Sequence, residues 1–104
     1  MADDDSFSPG APPFQPEEAL QRLQRDLRAL GLTERAGGFE RKGVAIARAA
    51  VDGDVIRAAR VKAPRRTGAE WLPRVLRSSA DLRDFVADLK KQLAQWSERD
   101  DRFL

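Results

Sequence analysis

Residues 44–62 read VAIARAAV, then Asp-Gly, then DVIRAARVK. Alanine dominates both halves, and by propensity alone each favours a helix. Gly53 interrupts any continuous helix, and each half is short on its own. Asp-Gly between two runs that alternate β-branched and small residues is the stronger signal, that of a β-hairpin. A type I′ turn centred on Asp52–Gly53 sets Val51 against Asp54. One face then collects Val44, Ile46, Arg48 and Ala50 against Val61, Ala59, Arg57 and Val55. The other collects Ala45, Ala47 and Ala49 with Ile56, Ala58 and Arg60. This register places Arg48 directly across from Arg57, and like charges opposed on a ladder destabilise it. The expectation is therefore a bulge that offsets the pair, or a carboxylate or other anion lying between the two guanidiniums.

Two amphipathic helices flank this hairpin. In PEEALQRLQRDLRALGL, Pro16 suits a first helical position, where its missing N–H is no loss. Glu17 and Glu18 complement the positive end of the helix dipole. Leu20, Leu23, Leu27 and Leu30 form one stripe. Gly31 then fits the left-handed position after the helix, with Leu32 as the apolar residue of a Schellman cap. The spacing predicts a helix over 16–30. In SSADLRDFVADLKKQLAQW the stripe is Leu82, Phe85, Val86, Leu89, Leu93 and Trp96, with Ser78 and Asp81 as a capping pair.

The segment TERAGGFERKG, with three glycines and mixed charge, reads as a loop. WLPRVLR (71–77) reads as a third strand, placed at a sheet edge because Pro73 has no N–H for a ladder. The fold class expected is α+β: a small three-stranded antiparallel sheet, hairpin plus edge strand, packed with an N-terminal and a C-terminal amphipathic helix. The order helix, three strands, helix is similar to that of double-stranded RNA-binding domains, although none of their motif residues occurs here. Residues 16–97 form the expected single domain. Residues 1–15, acidic and proline-rich with Phe7 and Phe14, are expected to be a disordered tail, and residues 98–104 a flexible one. Phe14 is expected to staple the first helix, or else to serve in a docking motif.

The sequence contains no histidine, cysteine or tyrosine. Thiolate zinc sites and disulfides are thereby excluded, and so are the commonest general base and the commonest protein nucleophile. Asp52 and Asp54 read as turn residues, since a hard cation wants six or more oxygens. Ser78 and Ser79 have no neighbouring base and read as caps. AGGFERKG lacks the spacing of a phosphate-binding loop. No cofactor, no metal and no enzymatic activity are expected. No apolar run is long enough to span a membrane, the N-terminus lacks the apolar core of a secretory signal, and the cytoplasm is the expected compartment.

Charge is divided along the chain. Residues 1–40 carry four arginines against eight acids, residues 41–77 carry ten cations against three, and the remainder is nearly balanced. The basic middle yields the candidate binding residues: Arg48, Arg57, Arg60, Lys62, Arg65, Arg66, Trp71, Arg74 and Arg77. Arginine forks match phosphate, so a nucleic-acid band over residues 57–77 is one reading. Sheets that read single strands offer aromatic platforms, and here only Trp71 is near. Charges also guard sheet edges against pairing with other chains. The leading expectation is a non-enzymatic interaction module, an adaptor or accessory subunit that binds a protein partner. Arg48 and Arg57 would then meet acids of the partner or of the chain's own N-terminal segment. A thin core also makes self-association into a homodimer a natural source of stability.

Overall fold

The computed structural model describes residues 14–102, with side chains through residue 97. Its elements are α1 (Pro16–Ala29), β1 (Thr33–Arg35), β2 (Gly38–Arg41), β3 (Val44–Asp52), β4 (Val55–Val61), β5 (Trp71–Leu76) and α2 (Ser79–Arg102). The five strands form one antiparallel sheet in sequence order, β1-β2-β3-β4-β5. α1 and α2 pack on each other and against the sheet. Residues 1–13, including Phe7 and most of the expected disordered tail, lie outside the described residues.

The α+β class and the two flanking helices stand, but the three-stranded sheet is corrected to five strands, which also parts the fold from the helix–three strands–helix order. The segment expected as a loop holds β1 and β2. Its glycines close two tight hairpins. Ala36–Gly37 joins Arg35 to Gly38, and Lys42–Gly43 joins Arg41 to Val44. All four turn residues have positive φ, at 51°, 82°, 54° and 79°, the backbone pattern of a type I′ turn. The first residue of each is Ala or Lys, where Asn or Asp is usual. A left-handed conformation costs a residue with a Cβ roughly 1–2 kcal/mol, a cost asparagine partly escapes. Ala36→Asn and Lys42→Asn are therefore each expected to raise stability by up to about 1 kcal/mol and the melting temperature by several degrees. Thermal melts of the two variants check this, and a fall in either would contradict the turn assignment.

The β3–β4 register is also corrected. Asp52 pairs with Val55, so the turn residues are Gly53 and Asp54, and Arg48 lies opposite Ala59 while Arg57 lies opposite Ala50. Gly53 has φ 65°, while Asp54 is not among the residues of positive φ. Glycine with positive φ at the first central position is the type II′ pattern. The turn moves by one residue, residues 47–50 and 55–60 keep the faces expected of them, and the direct Arg48–Arg57 opposition disappears, whereas Ile46, expected on the Arg48 face, is buried in the core. A bulge does occur, but between β2 and β3: Phe39 pairs with Ala47 and Glu40 with Ala45, which leaves Ile46 as the extra residue.

The core forms between the helices and the sheet. Leu23 and Leu27 of α1 and Leu82, Phe85, Leu89, Leu93 and Trp96 of α2 are buried with Phe39, Ile46, Ile56 and Leu76 of the strands. The end of α1 is closed as expected. The Gly31 N–H donates to the Arg28 carbonyl at 2.9 Å and the Leu32 N–H to the Leu27 carbonyl at 3.3 Å, the paired bonds of a Schellman motif. At the start of α2, the Asp81 N–H donates to Ser78 Oγ at 3.1 Å, while Asp81 Oδ2 accepts from the Arg77 N–H at 2.9 Å. That return bond reaches one residue further back than in a regular capping box. Phe14 sits just before the N-cap residue Gln15 and packs against the core cluster, where a hydrophobic staple belongs.

Candidate functional site

Strand alternation decides where the nine candidate residues go. Side chains two apart share a face and side chains three apart do not, so Arg57 and Arg60 of β4 point to opposite sides. Arg60 turns to the helix side, where its Nε donates to Asp88 Oδ2 of α2 at 2.6 Å and its Nη1 to the Val61 carbonyl at 3.1 Å. Its side chain is only 16% exposed. Arg74 shares that face, opposite Ala58, and lies 3.9 Å from Asp84, one helical turn before Asp88. These two arginines fasten the sheet to α2. Arg41, which was not among the candidates, does the same from β2 by donating to Ser97 Oγ at 2.7 Å.

Lys62 and Glu70 face each other across the base of the loop between β4 and β5, 3.9 Å apart. The Lys62 N–H donates to the Glu70 carbonyl at 2.9 Å. Arg65 and Arg66 are exposed at the tip of that loop, and Arg77 is exposed beside the start of α2. None of these three has an ion pair among the described residues. The expected band over 57–77 is thus divided among the helix interface, the loop and the helix start.

What the fold does bring together is a smaller set on the face of the sheet turned away from the helices. Alternation and register place Ala50, Arg57 and Val75 there in one row, and Arg48, Ala59 and Pro73 in the next. Trp71 follows two residues from Pro73 on the same side of β5. The Arg48 guanidinium lies over the Trp71 ring, 4.3 Å from its centroid. At an exposed site such stacking contributes about 0.5–1 kcal/mol, and it holds a long flexible cation in a fixed position. Arg57 Nε donates to Asp52 Oδ2, a diagonal neighbour near the hairpin turn. Asp52 thereby balances Arg57 alone at the turn end of the hairpin; it does not lie between the Arg48 and Arg57 guanidiniums, where a carboxylate was expected.

Between Arg48 and Arg57 lies a shallow depression of about 340 Å³, floored by Ala50, Ala59, Pro73 and Val75. Its floor is apolar because the side chains are small, which lets another element approach the backbone closely. Its walls are cationic, formed by Arg48 and Arg57. Pro73, Ala50 and Val75 take part in this surface although the sequence reading did not single them out. The signal available was the run of alanines at alternate positions facing a proline strand.

Comparison with family models, curated proteins and solved structures finds no match to this chain.

Proposed function

We propose that this chain is a non-enzymatic interaction module, an adaptor or accessory subunit of a larger assembly. In this reading the open sheet face receives an acidic segment of a protein partner that also carries an apolar side chain. The observation that supports it is the small-residue floor between Arg48, held on Trp71, and Arg57. Arginine and tryptophan are the residues that most often dominate binding energy at protein interfaces. A partner carboxylate would meet Arg48, whose charge has no acid beside it among the described residues, and an apolar side chain would fill the depression. The proposed compartment is the cytoplasm, in keeping with a chain that lacks cysteine. Among the described residues no helix is long and apolar enough to cross a membrane.

The alternative, electrostatic nucleic-acid binding over 57–77, loses support from the division of the band, because Arg60 and Arg74 are engaged with α2. Arg65 and Arg66 are its best remaining residues. Two double variants separate the readings. Arg48→Glu with Trp71→Ala is expected to reduce partner capture from the source cell by roughly tenfold or more, as loss of interface anchors does. Arg65→Glu with Arg66→Glu is expected to leave capture unchanged. Fluorescence anisotropy with labelled DNA and RNA, single- and double-stranded, at about 50 and 200 mM salt is the counter-test. Binding that collapses with salt and with the Arg65/Arg66 variant would replace this reading with the alternative.

A further inference from the structure

The meander sends successive turns to opposite ends of the sheet. The Gly53–Asp54 turn lies at one end. The Lys42–Gly43 turn and the loop between β4 and β5 lie at the other. Between that turn and that loop is a cleft of about 210 Å³, lined by Arg41, Lys42, Val44, Ile46, Pro64 and Arg66. It lies toward the helix side of the sheet, since Arg41 also reaches Ser97 of α2 and Ile46 belongs to the core between sheet and helices. It is therefore separate from the face that carries Arg48 and Arg57.

Among the described residues, three cations line this cleft and no acid does. That is not a general property of the basic middle of the chain. Arg65 borders a second depression, which it shares with Lys62 and Glu70, and Glu70 lies 3.9 Å from Lys62. Arg66 borders the cleft of Arg41 and Lys42 instead. Two consecutive arginines are thus parted, one near a carboxylate and one in an acid-free cleft. Lys42 and Arg66 are exposed, and neither has an ion pair among the described residues. Like charges repel at this range, and an anion between them relieves the repulsion. A carboxylate brings a single charge. A phosphate monoester carries nearly two negative charges at neutral pH and three acceptor oxygens, enough for the ammonium of Lys42 and the guanidinium of Arg66 at once. A water takes up about 30 Å³ of liquid, so the cleft has room for a phosphate and part of the group it esterifies. We propose that this cleft binds a phosphate monoester, with Lys42 and Arg66 holding the phosphate and Val44 and Pro64 receiving its apolar body.

Phenyl phosphate is the probe, titrated into the isotope-labelled full chain at constant ionic strength, with amide shifts as the readout. Saturable shifts at Lys42, Gly43 and Arg66 are expected, with a dissociation constant of roughly 1 mM, a modest affinity suited to an exposed site. Lys42→Asn keeps the fold, because asparagine suits the positive φ at that position. It is expected to weaken binding about fivefold or more, as the loss of one charge-assisted hydrogen bond does. Arg66→Gln should do the same. Arg65→Gln should change binding by less than about twofold, because salt screens a charge outside the cleft. Acetate at the same ionic strength should give no saturable shift, and inorganic phosphate should bind more weakly than phenyl phosphate. Equal weakening by Arg65→Gln and Arg66→Gln would mean a diffuse basic loop, such as a nucleic-acid backbone would use, and would overturn the proposal. So would equal shifts with acetate, or shifts spread to Arg48 and Arg57 on the other face. Inorganic phosphate binding as tightly as phenyl phosphate would overturn the apolar contact with Val44 and Pro64. The partner face plays no part in this titration, so that reading stands or falls on its own test.

Discussion

Phe39→Ala is expected to lower the free energy of unfolding by about 3–5 kcal/mol, the usual cost of removing a buried phenylalanine. Phe39 is 1% exposed and is the one fully buried side chain of β2, whose other three residues are half-buried. β1 has no buried residue and is held to the sheet through β2. Loss of Phe39 therefore loosens both strands. A domain of this size has a total stability of roughly 5–15 kcal/mol, so the variant would keep only a small margin or none. Urea unfolding followed by the fluorescence of Trp96, which is 3% exposed, measures the change. Leu72→Ala, at the 39% exposed position of β5, is the control and should move stability by no more than about 0.5 kcal/mol. A Phe39→Ala cost as small as that of the control would mean that the first hairpin contributes nothing to the core.

The second large effect is expected at the joint between sheet and helix. Asp88→Ala removes the carboxylate that accepts from Arg60 and leaves a guanidinium, mostly buried, with only the Val61 carbonyl. Hydrogen bonds to charged groups contribute about 1.5–3 kcal/mol, and the buried partner left unpaired adds its own penalty. A cost of about 2 kcal/mol is expected. Arg60→Ala with Asp88→Ala should be less damaging than the sum of the single changes, with a coupling of about 1 kcal/mol or more in a double-mutant cycle. Arg65→Ala and Arg66→Ala should each stay within about 0.5 kcal/mol. If Asp88→Ala were equally mild, Arg60 would be available to a ligand, and the band over 57–77 would regain a member.

Both predictions turn on residues whose roles were unequally visible in the sequence. The helices were legible because leucine recurs at helical spacing and because Pro16, Gly31 and Ser78 punctuate their ends. β3, β4 and β5 were legible from β-branched residues and from Pro73. β1 and β2 were not, since three- and four-residue strands show almost no periodicity, and Phe39 is the only large apolar residue in either. Their turns begin with Ala36 and Lys42, residues without the side-chain amide or carboxylate that usually signals left-handed backbone. The β3–β4 register missed by one residue because Asp52–Gly53 and Gly53–Asp54 are both acceptable turn pairs, and only the structure separates them. At the candidate site, the parity of Arg57 and Arg60 already placed them on opposite faces. What the sequence could not supply was which face the helices cover, and that assignment divides the basic residues into tethers and open-surface residues.

The sheet is a meander in which every strand pairs with its neighbour in sequence. This has a kinetic consequence. Chain entropy lost in closing a loop must be spent before the contacts it enables are gained, and here each strand pairing closes a short loop. The turns of Ala36–Gly37, Lys42–Gly43 and Gly53–Asp54 allow hairpins to form on the scale of microseconds. The distant encounter is that of α1 with α2, which lie at opposite ends of the sequence and bury Leu23 and Leu27 together with Phe85 and Leu89. The rate-limiting event in folding should therefore be the docking of α2 onto a sheet whose hairpins are already in place. Mutations in α2 would then act mainly on the unfolding rate, and mutations in the β3–β4 hairpin on the folding rate.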